Sequence, residues 1–503
     1  MSTNPAQDPK AHSSMLALVL RGVSWKLVSQ IVVQVARVVF ALIVARLLTP
    51  EEFGLAAMAL VIAGFVIAFS DLGLGAALIQ RRSIDEHDRS TVFWTGLVVG
   101  MLLTIIGIAL AAPVAAFYGE PVVQGLMAAL SVCFVVSAIG ATQRALLTRE
   151  MDFRRIELSA MSGVVVGGFV SVAGAIAGWG PWALVAQQLT TVGVTTTVLW
   201  FATSWRPSLT FSIQSLRLLG GYGANVLGTR LVYRGQESSL PLVIGRFLGA
   251  TALGIFTIAY TIILVPLTRL AIPIGEVLFP AFSRMQDERE RVAQFWIRAL
   301  EVLAAICAPA MVGLAIVAPD FVEVVLGDQW SAAIPVIQIL AWVGLVQALQ
   351  AWNGGILMGL GRTGTLFRAT SIFFVVYLAS FLVGVQWGLV GLAATYAVVA
   401  TVLEAAYLWL TTHALGISFW RPLRALAGVA QATALMGVLV AVMQFVLVDH
   451  GLPPELRLPL LIVFGALVYL PLVAWRAPGV SSSLRSFRRR GERPVSAGAP
   501  VSS

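Results

Sequence analysis

Apolar runs of bilayer length follow one another along almost the whole chain, separated by short polar turns. They predict helical spans at about 23–45, 54–79, 91–117, 122–147, 157–178, 181–203, 219–244, 252–281, 293–318, 332–358, 366–386, 388–412, 423–447 and 456–475. That pattern is an all-α polytopic membrane protein with about fourteen transmembrane helices. Residues 1–15 are polar and the first apolar run is long enough to span, so no cleavable signal peptide is expected.

The pattern also repeats. Residues 45–60, ARLLTPEEFGLAAMAL, return 200 positions later as GRFLGATALGIFTIAY, placing Arg46 over Arg246, Leu48 over Leu248, Gly54 over Gly254 and Ala59 over Ala259. Each copy falls between the first and second span of a block of six, and duplicated blocks of spans are typical of transporters. The expected organisation is therefore a six-helix lobe over 1–217, a second over 218–420, an added helix pair over 421–476, and a basic, disordered tail over 477–503.

Composition strengthens the membrane reading. With 58% apolar and 11% charged residues and a mean hydropathy of +0.90, the chain has too little polar surface for a soluble globule. Charge then sets orientation. With both termini cytoplasmic, 23 of the 33 Lys and Arg fall in cytoplasmic loops and tails, against three outside: Arg46, Arg246 and Arg457. Acidic residues such as Glu51, Glu52, Asp320 and Glu323 fall in the outer turns. Basic charge spread through loops that face anionic lipid accounts for a pI near 10.1, so nucleic acid is not an expected partner.

Little in the chain suggests soluble chemistry. Cys133 and Cys307 lie inside spans, far apart, and read as buried small apolar residues. There is no GxxxxGK[ST] phosphate loop, no HExxH and no Cys/His cluster, and GLGRTG at 359–364 reads as a tight cytoplasmic turn. No cofactor, metal or catalytic residue is expected.

Charges inside spans point to function. Lys26, Arg37, Arg144, Arg230, Arg234, Arg269 and Arg298 lie within or at the ends of helices. Arg230, Arg234 and Glu237 sit near the middle of the seventh span, where each costs roughly 2.5 to 3.5 kcal/mol on insertion scales. Arg230, Tyr233, Arg234 and Glu237 recur at i, i+3, i+4 and i+7, one face that can turn from lipid into a shared polar cavity. The repeat sets Arg37 in register with Glu237, which makes an ion pair across the two lobes a concrete expectation. Arg269, between Pro266 and Pro273, and Glu276, before Pro280, belong to a helix expected to kink toward the same cavity. Arg37, Arg230, Arg234 and Arg269 are thus the candidate substrate-binding cations, with Glu237, Glu276, Glu404, Tyr233 and Asn225 as polar or ion-coupling candidates. Glu404 reads equally as a proton or cation site and as a hydrogen-bonded helix contact. Arg144 and Arg298 are placed to snorkel. Gln338, Gln347, Gln350 and Asn353 fit sugar binding or interhelical hydrogen bonding, and the Gly163/Gly167, Gly174/Gly178 and Gly384/Gly388 pairs read as packing notches.

SDLGLGAALIQ at 70–80, the turn RLLTPEEFGL at 46–55 and the matching RFLGAxxLG at 246–254 resemble the polysaccharide transporter family, the Wzx-type flippases of the multidrug, oligosaccharidyl-lipid and polysaccharide exporter superfamily. The resemblance covers nearly the whole chain. It implies two rocking lobes, and export of a polyprenyl-pyrophosphate-linked oligosaccharide from the inner to the outer leaflet for surface polysaccharide assembly. Membrane lipids, a polysaccharide polymerase and export machinery are the implied partners. Cavity cations bind the anionic head in such relatives, but no cavity residue lies in the matched motifs. The choice of arginines rests on burial alone.

Three alternatives remain. A drug exporter of the same superfamily would favour surplus carboxylates, not surplus Arg. A peptidoglycan-precursor flippase would suit the same cavity and the added helix pair. A membrane polysaccharide polymerase or ligase would need a long outer loop for acceptor and catalytic groups, which the sequence does not offer.

Overall fold

The computed structural model describes residues 32–70, 84–266 and 288–477, with scattered positions from 75 to 81 and from 271 to 285; for 62–70, 214–234, 236, 237, 265 and 266 only the backbone is described. Among the described residues the chain is helical throughout, with no strand. It separates into two compact units, Met1–Thr257 and Ile258–Ser503.

The first unit begins with α1 (32–47) and α2 (Pro50–Ser70). The sequence T-P-E-E starts α2 in a way physics dictates. The Thr49 hydroxyl accepts from the Glu52 amide at 3.2 Å, the Glu52 carboxylate accepts from the Thr49 amide at 2.8 Å, and Pro50 occupies the first helical position, where no N–H is needed. Next come α3 (Glu86–Tyr118), opened by a reciprocal Asp85/Asp88 cap and closed at Gly119, whose φ is +78°; α4 (Val122–Arg149); α5 (Phe153–Ile176); and α6 (Trp182–Ala202). Helix α3 packs along α4, α4 against α6, and α5 along α6. Gly163 and Gly167 of α5 are the notches expected from sequence, since a Cβ there would stand 2.6 Å from the Thr191 carbonyl and 2.8 Å from that of Gln187. Gly178 and Gly388 instead take positive φ and make turns. Helix α7 (Ile213–Pro266) is broken at Gly249 into two arms, the second of which passes into the second unit.

That unit contains α8 (Arg289–Phe321), α9 (Ala333–Gln350), α10 (Asn353–Gly359), α11 (Thr363–Gly384), α12 (Gly388–Leu415), α13 (Trp420–Asp449) and α14 (Pro454–Arg476). The predicted span 332–358 is two pieces, α9 and α10, parted at Ala351–Trp352. GLGRTG is a turn as expected, with Gly361 at φ +72° and the Arg362 amide donating to the Leu357 carbonyl at 2.8 Å. The α13–α14 pair lies on α8 through Val317, Ala432, Met436, Val440, Leu461 and Tyr469, and the Tyr469 hydroxyl donates to the Ala305 carbonyl at 2.8 Å.

Two charges that the sequence places in outer turns are built into this contact. Asp320 near the end of α8 is 1% exposed and paired with Arg457 of α14, whose Nε donates at 2.8 Å; Gln444 of α13 donates to the second carboxylate oxygen at 3.2 Å. Burial makes Asp320 dependent on the pair, because its carboxylate alone would be left without water.

Among the described residues, nine segments are long and apolar enough to cross a membrane, and Thr363–Leu415 alone holds two predicted spans. Their outer surfaces suit lipid: Phe201 is 84% exposed, Phe445 74% and Ile176 71%, a pattern water would not tolerate over so many helices. Cys133 and Cys307 are free and buried, as expected from sequence.

Candidate functional site

The repeated turns meet. A Cβ on Gly54 would stand 1.8 Å from the Ala250 carbonyl oxygen, and a Cβ on Gly254 would stand 1.9 Å from the Pro50 carbonyl oxygen. Since Pro50 and Ala250 are in register with each other, as are Gly54 and Gly254, the contact is reciprocal: each copy offers its glycine to the other copy's helix start. This is the self-complementary arrangement of a two-fold axis, here local and internal to one chain. Only glycine permits the backbones so close. Thr49, which caps α2, corresponds to Gly249, which breaks α7 with φ +81° and ψ −177°. Each copy therefore interrupts the chain at the same register before starting a helix.

Apolar burial surrounds the crossing. Val44, Ala45, Ala56, Met58 and Leu253 are 0% exposed, and Leu48 and Phe256 are 2% exposed. Glu52 reaches the neighbouring turn, where a Cβ on Gly180 would meet its Oε1 at 2.9 Å. The Arg246 guanidinium lies 5.7 Å from the Phe117 ring.

The first arm of α7 is helical through Asn225, Arg230, Tyr233, Arg234 and Glu237, so the spacing that puts the last four on one face holds in the backbone. Their side chains lie outside the described residues, as do Arg269, Glu276 and most of the 70–80 motif. Ser238 and Ser239, which directly follow Glu237, are 7% and 9% exposed. Arg37 is exposed on α1; the expected Arg37–Glu237 pair involves a side chain that is not described. Arg144 and Arg298 are exposed.

In the second unit, Glu404 of α12 is partly buried, with its Oε2 out of contact with solvent and without a hydrogen bond. Tyrosines surround it. Tyr377 of α11 and Tyr407 of α12 both lie within electrostatic range of the carboxyl. Tyr377 meets Tyr396 edge to face with centroids 5.6 Å apart, and the Tyr396 hydroxyl accepts from Gln347 Nε2 at 2.7 Å. Gln347 is thus an interhelical contact between α9 and α12, and Gln338 is another, donating to the Ala315 carbonyl at 3.2 Å. Asn353 is buried and donates to Gln350. The sequence singled out Glu404 but not its setting, because Gln347 and Tyr377 come from other helices.

This fold is one already known among membrane transporters. The chain superposes on a lipid II flippase MurJ in an inward closed conformation with a TM-score of 0.71 at 14% identity, covering 93% of this chain and all of that one. An inward-facing multidrug resistance MATE family transporter of the MOP superfamily gives 0.62 at 15% identity over 76% of this chain and 94% of that one. Sequence narrows the class to a family: a family model described as polysaccharide biosynthesis protein matches residues 43–335, and the chain belongs to that family. Similar proteins include the teichuronic acid biosynthesis protein TuaB of Bacillus subtilis (strain 168), 27% identical over 94% of this chain and 98% of that one. The lipopolysaccharide biosynthesis protein WzxC of Escherichia coli (strain K12) is 28% identical over 73% of this chain and 75% of that one. The succinoglycan biosynthesis transport protein ExoT of Rhizobium meliloti (strain 1021) is 29% identical over 64% and 65%.

Proposed function

We propose that the protein is a flippase that carries a polyprenyl-pyrophosphate-linked oligosaccharide from the inner to the outer leaflet of the cytoplasmic membrane, for surface polysaccharide export. In this reading it has fourteen spans in two six-helix lobes plus the α13–α14 pair, with both termini cytoplasmic. One combination carries it: a chain of the polysaccharide biosynthesis family folded along nearly its full length like a lipid II flippase.

Physical chemistry makes the substrate and the candidate residues compatible. A pyrophosphate in hydrocarbon is prohibitively costly unless paired, and guanidinium groups donate to phosphate oxygens in pairs. Arg230 and Arg234 on one face of α7, with Arg37 and Arg269, are the proposed partners of the head group; Asn225, Tyr233 and the carboxylates Glu237 and Glu276 are proposed to line the same polar space. The prenyl chain stays in lipid. An inside-negative potential favours outward movement of each negative charge by about 2.3 kcal/mol per 100 mV.

In this reading the crossing of Gly54 and Gly254 is the part that moves. With both termini cytoplasmic the two turns lie at the outer face, and a crossing held by backbone contact would close the route outward. Export requires the two turns to part and then to close again, which is alternating access with the seal at the repeat axis.

Depletion of the protein in cells tests the reading. The expected result is accumulation of a complete polyprenyl-linked repeat unit protected from an externally added glycan-cleaving enzyme. Normal surface polysaccharide without accumulation would overturn it.

A further inference from the structure

Between α6 and α7 the chain runs from Thr203 to Ser212 without a helix, and the sequence explains why. Helix α6 ends at Ala202 with Thr203 extended, at φ −113° and ψ 139°. Pro207 disfavours helical geometry at Arg206, and Ser208, Thr210 and Ser212 carry polar groups that compete with a helix. Successive side chains of an extended chain turn to opposite sides. Here one side is polar and bound. The Ser208 hydroxyl lies 2.9 Å from that of Ser90 on α3 and 2.8 Å from that of Thr210. The Ser208 amide donates to the Ser90 hydroxyl at 3.1 Å, its carbonyl accepts from Trp94 Nε1 at 2.8 Å, and the Ser212 amide donates to the Thr91 hydroxyl at 3.0 Å. Ser90 and Thr91 are 0% exposed, so the anchors are fixed. The other side is apolar and bare: Leu209 is 93% exposed, Phe211 54%, and Ile213, the first residue of α7, 62%.

The level of this strap decides what covers it. Its anchors Ser90, Thr91 and Trp94 stand where the apolar run of α3 begins, one turn past the polar start Glu86, His87, Asp88 and Arg89. At its other end it follows directly on Phe201, part of the exposed apolar surface of α6. Indoles gather at the same height. Trp205 donates to the Glu86 carboxylate at 3.0 Å and Trp200 to the Ile139 carbonyl at 3.0 Å, while Phe93 packs edge to face against Trp94, Trp200 and Trp205. Indoles with apolar bodies and satisfied polar edges are typical of the boundary between membrane and water. Cations suited to head-group phosphates lie there too: the Arg206 guanidinium is 5.2 Å from the Trp200 ring, and Arg155, paired with Asp152, donates to the Ala202 carbonyl at 3.1 Å. Large apolar side chains at that height are costly in water and are stabilised among acyl chains.

We propose that residues 205–213 form a membrane-seated strap. Leu209, Phe211 and Ile213 insert into the inner leaflet where head groups meet acyl chains, while Ser208, Thr210 and Ser212 hold the same segment to α3. The connection between the two six-helix blocks is thereby tied to the first block as far as Ser212, which leaves α7 to accommodate transport motion. The choice of the inner leaflet rests on the reading above; the contact with lipid does not.

Nitroxide labels read the contact in the full-length protein, reconstituted into vesicles of phosphatidylethanolamine and phosphatidylglycerol. Leu209→Cys and Phe211→Cys are labelled one at a time, with Cys133 and Cys307 replaced by Ser; Phe201→Cys is the lipid reference and His87→Cys the aqueous one. The expected result is that collisions with oxygen, which partitions into lipid, outweigh those with a water-soluble nickel chelate at 209 and 211, as at 201, with the opposite order at 87. A water-like order at 209 or 211 overturns the proposal by putting the face in the cytosol. Collisions with neither reagent at these positions also overturn it, because the face would then be covered by protein, whether a second copy or a soluble partner. An impermeant thiol reagent settles the side: His87→Cys should react only after cells are lysed, and reaction in intact cells overturns the assignment to the inner leaflet. Absence of flipping in vesicles, with lipid-like labels at 209 and 211, would count against the transport reading and leave the strap standing.

Discussion

Replacing Gly54 by Ala asks the crossing to accept one methyl group. The new Cβ would stand 1.8 Å from the Ala250 oxygen, whereas real Cβ contacts essentially never fall below 3.0 Å, so the backbones must separate by at least about 1.2 Å. No side-chain rotation can relieve this, because the obstacle is a carbonyl. Overpacking of this kind costs about 1–3 kcal/mol, which is about a 5- to 150-fold shift away from the crossed state. The local two-fold relation adds a sharper demand: Gly254→Ala, at 1.9 Å from the Pro50 oxygen, must have nearly the same effect. Gly193→Ala on α6 is the control, since its Cβ would meet nothing within 4 Å. Spin labels at the exposed positions 51 and 251, introduced as Glu51→Cys and Thr251→Cys with Cys133 and Cys307 replaced by Ser, report the separation by pulsed dipolar spectroscopy. Each glycine variant should add a longer-distance population and slow transport; the control should do neither. A single unchanged distance in both glycine variants, with normal transport, would refute the claim that the crossing is a close-packed seal.

Other expectations follow from the same structure. Arg457→Ala strips the buried Asp320 of its charge partner and should destabilise the α13–α14 contact by about 3–5 kcal/mol, lowering the thermal midpoint in detergent, while the added Asp320→Asn should recover much of the loss; equal stability of Arg457→Ala and the parent would contradict this. Arg230→Gln or Arg234→Gln each removes a charge-assisted contact of about 1.5–3 kcal/mol, so transport of the pyrophosphate-linked probe should fall about 10- to 150-fold with expression intact. Charge reversal at Arg37 and Glu237 tests their predicted pairing: each single reversal should impair transport and the double reversal should rescue it, and failure of rescue would remove the pair.

Length and apolarity made most helices readable in advance. The predicted spans 122–147 and 181–203 are α4, Val122–Arg149, and α6, Trp182–Ala202, because a bilayer sets their length and flanking charges or turns set their ends. What a one-dimensional pattern could not carry was partnership between distant residues. Asp320 and Arg457 looked like loop charges because neither interrupts an apolar run; only the docking of α14 on α8 explains both. No proline announces the break at Ala351–Trp352, and Gln350 and Asn353 beside it read as polar contacts within one long span. The repeat was visible as matched letters, including Gly54 and Gly254, yet its reason was geometric: glycine recurs at that register because each copy crosses the other's backbone there. Glu404 stood out as an acid inside a span, whereas the packing of Tyr377 from α11 and of Gln347 from α9 beside the tyrosines of its own helix could not be read from the letters.

The most direct test of the account is reconstitution of the purified protein into vesicles with a polyprenyl-pyrophosphoryl oligosaccharide confined to one leaflet, followed by enzymatic scoring of its appearance in the other. The account predicts protein-dependent crossing that falls in Arg230→Gln, Arg234→Gln and Gly54→Ala. Crossing no faster than in protein-free vesicles, from a folded protein that instead moves a cationic drug, would contradict it.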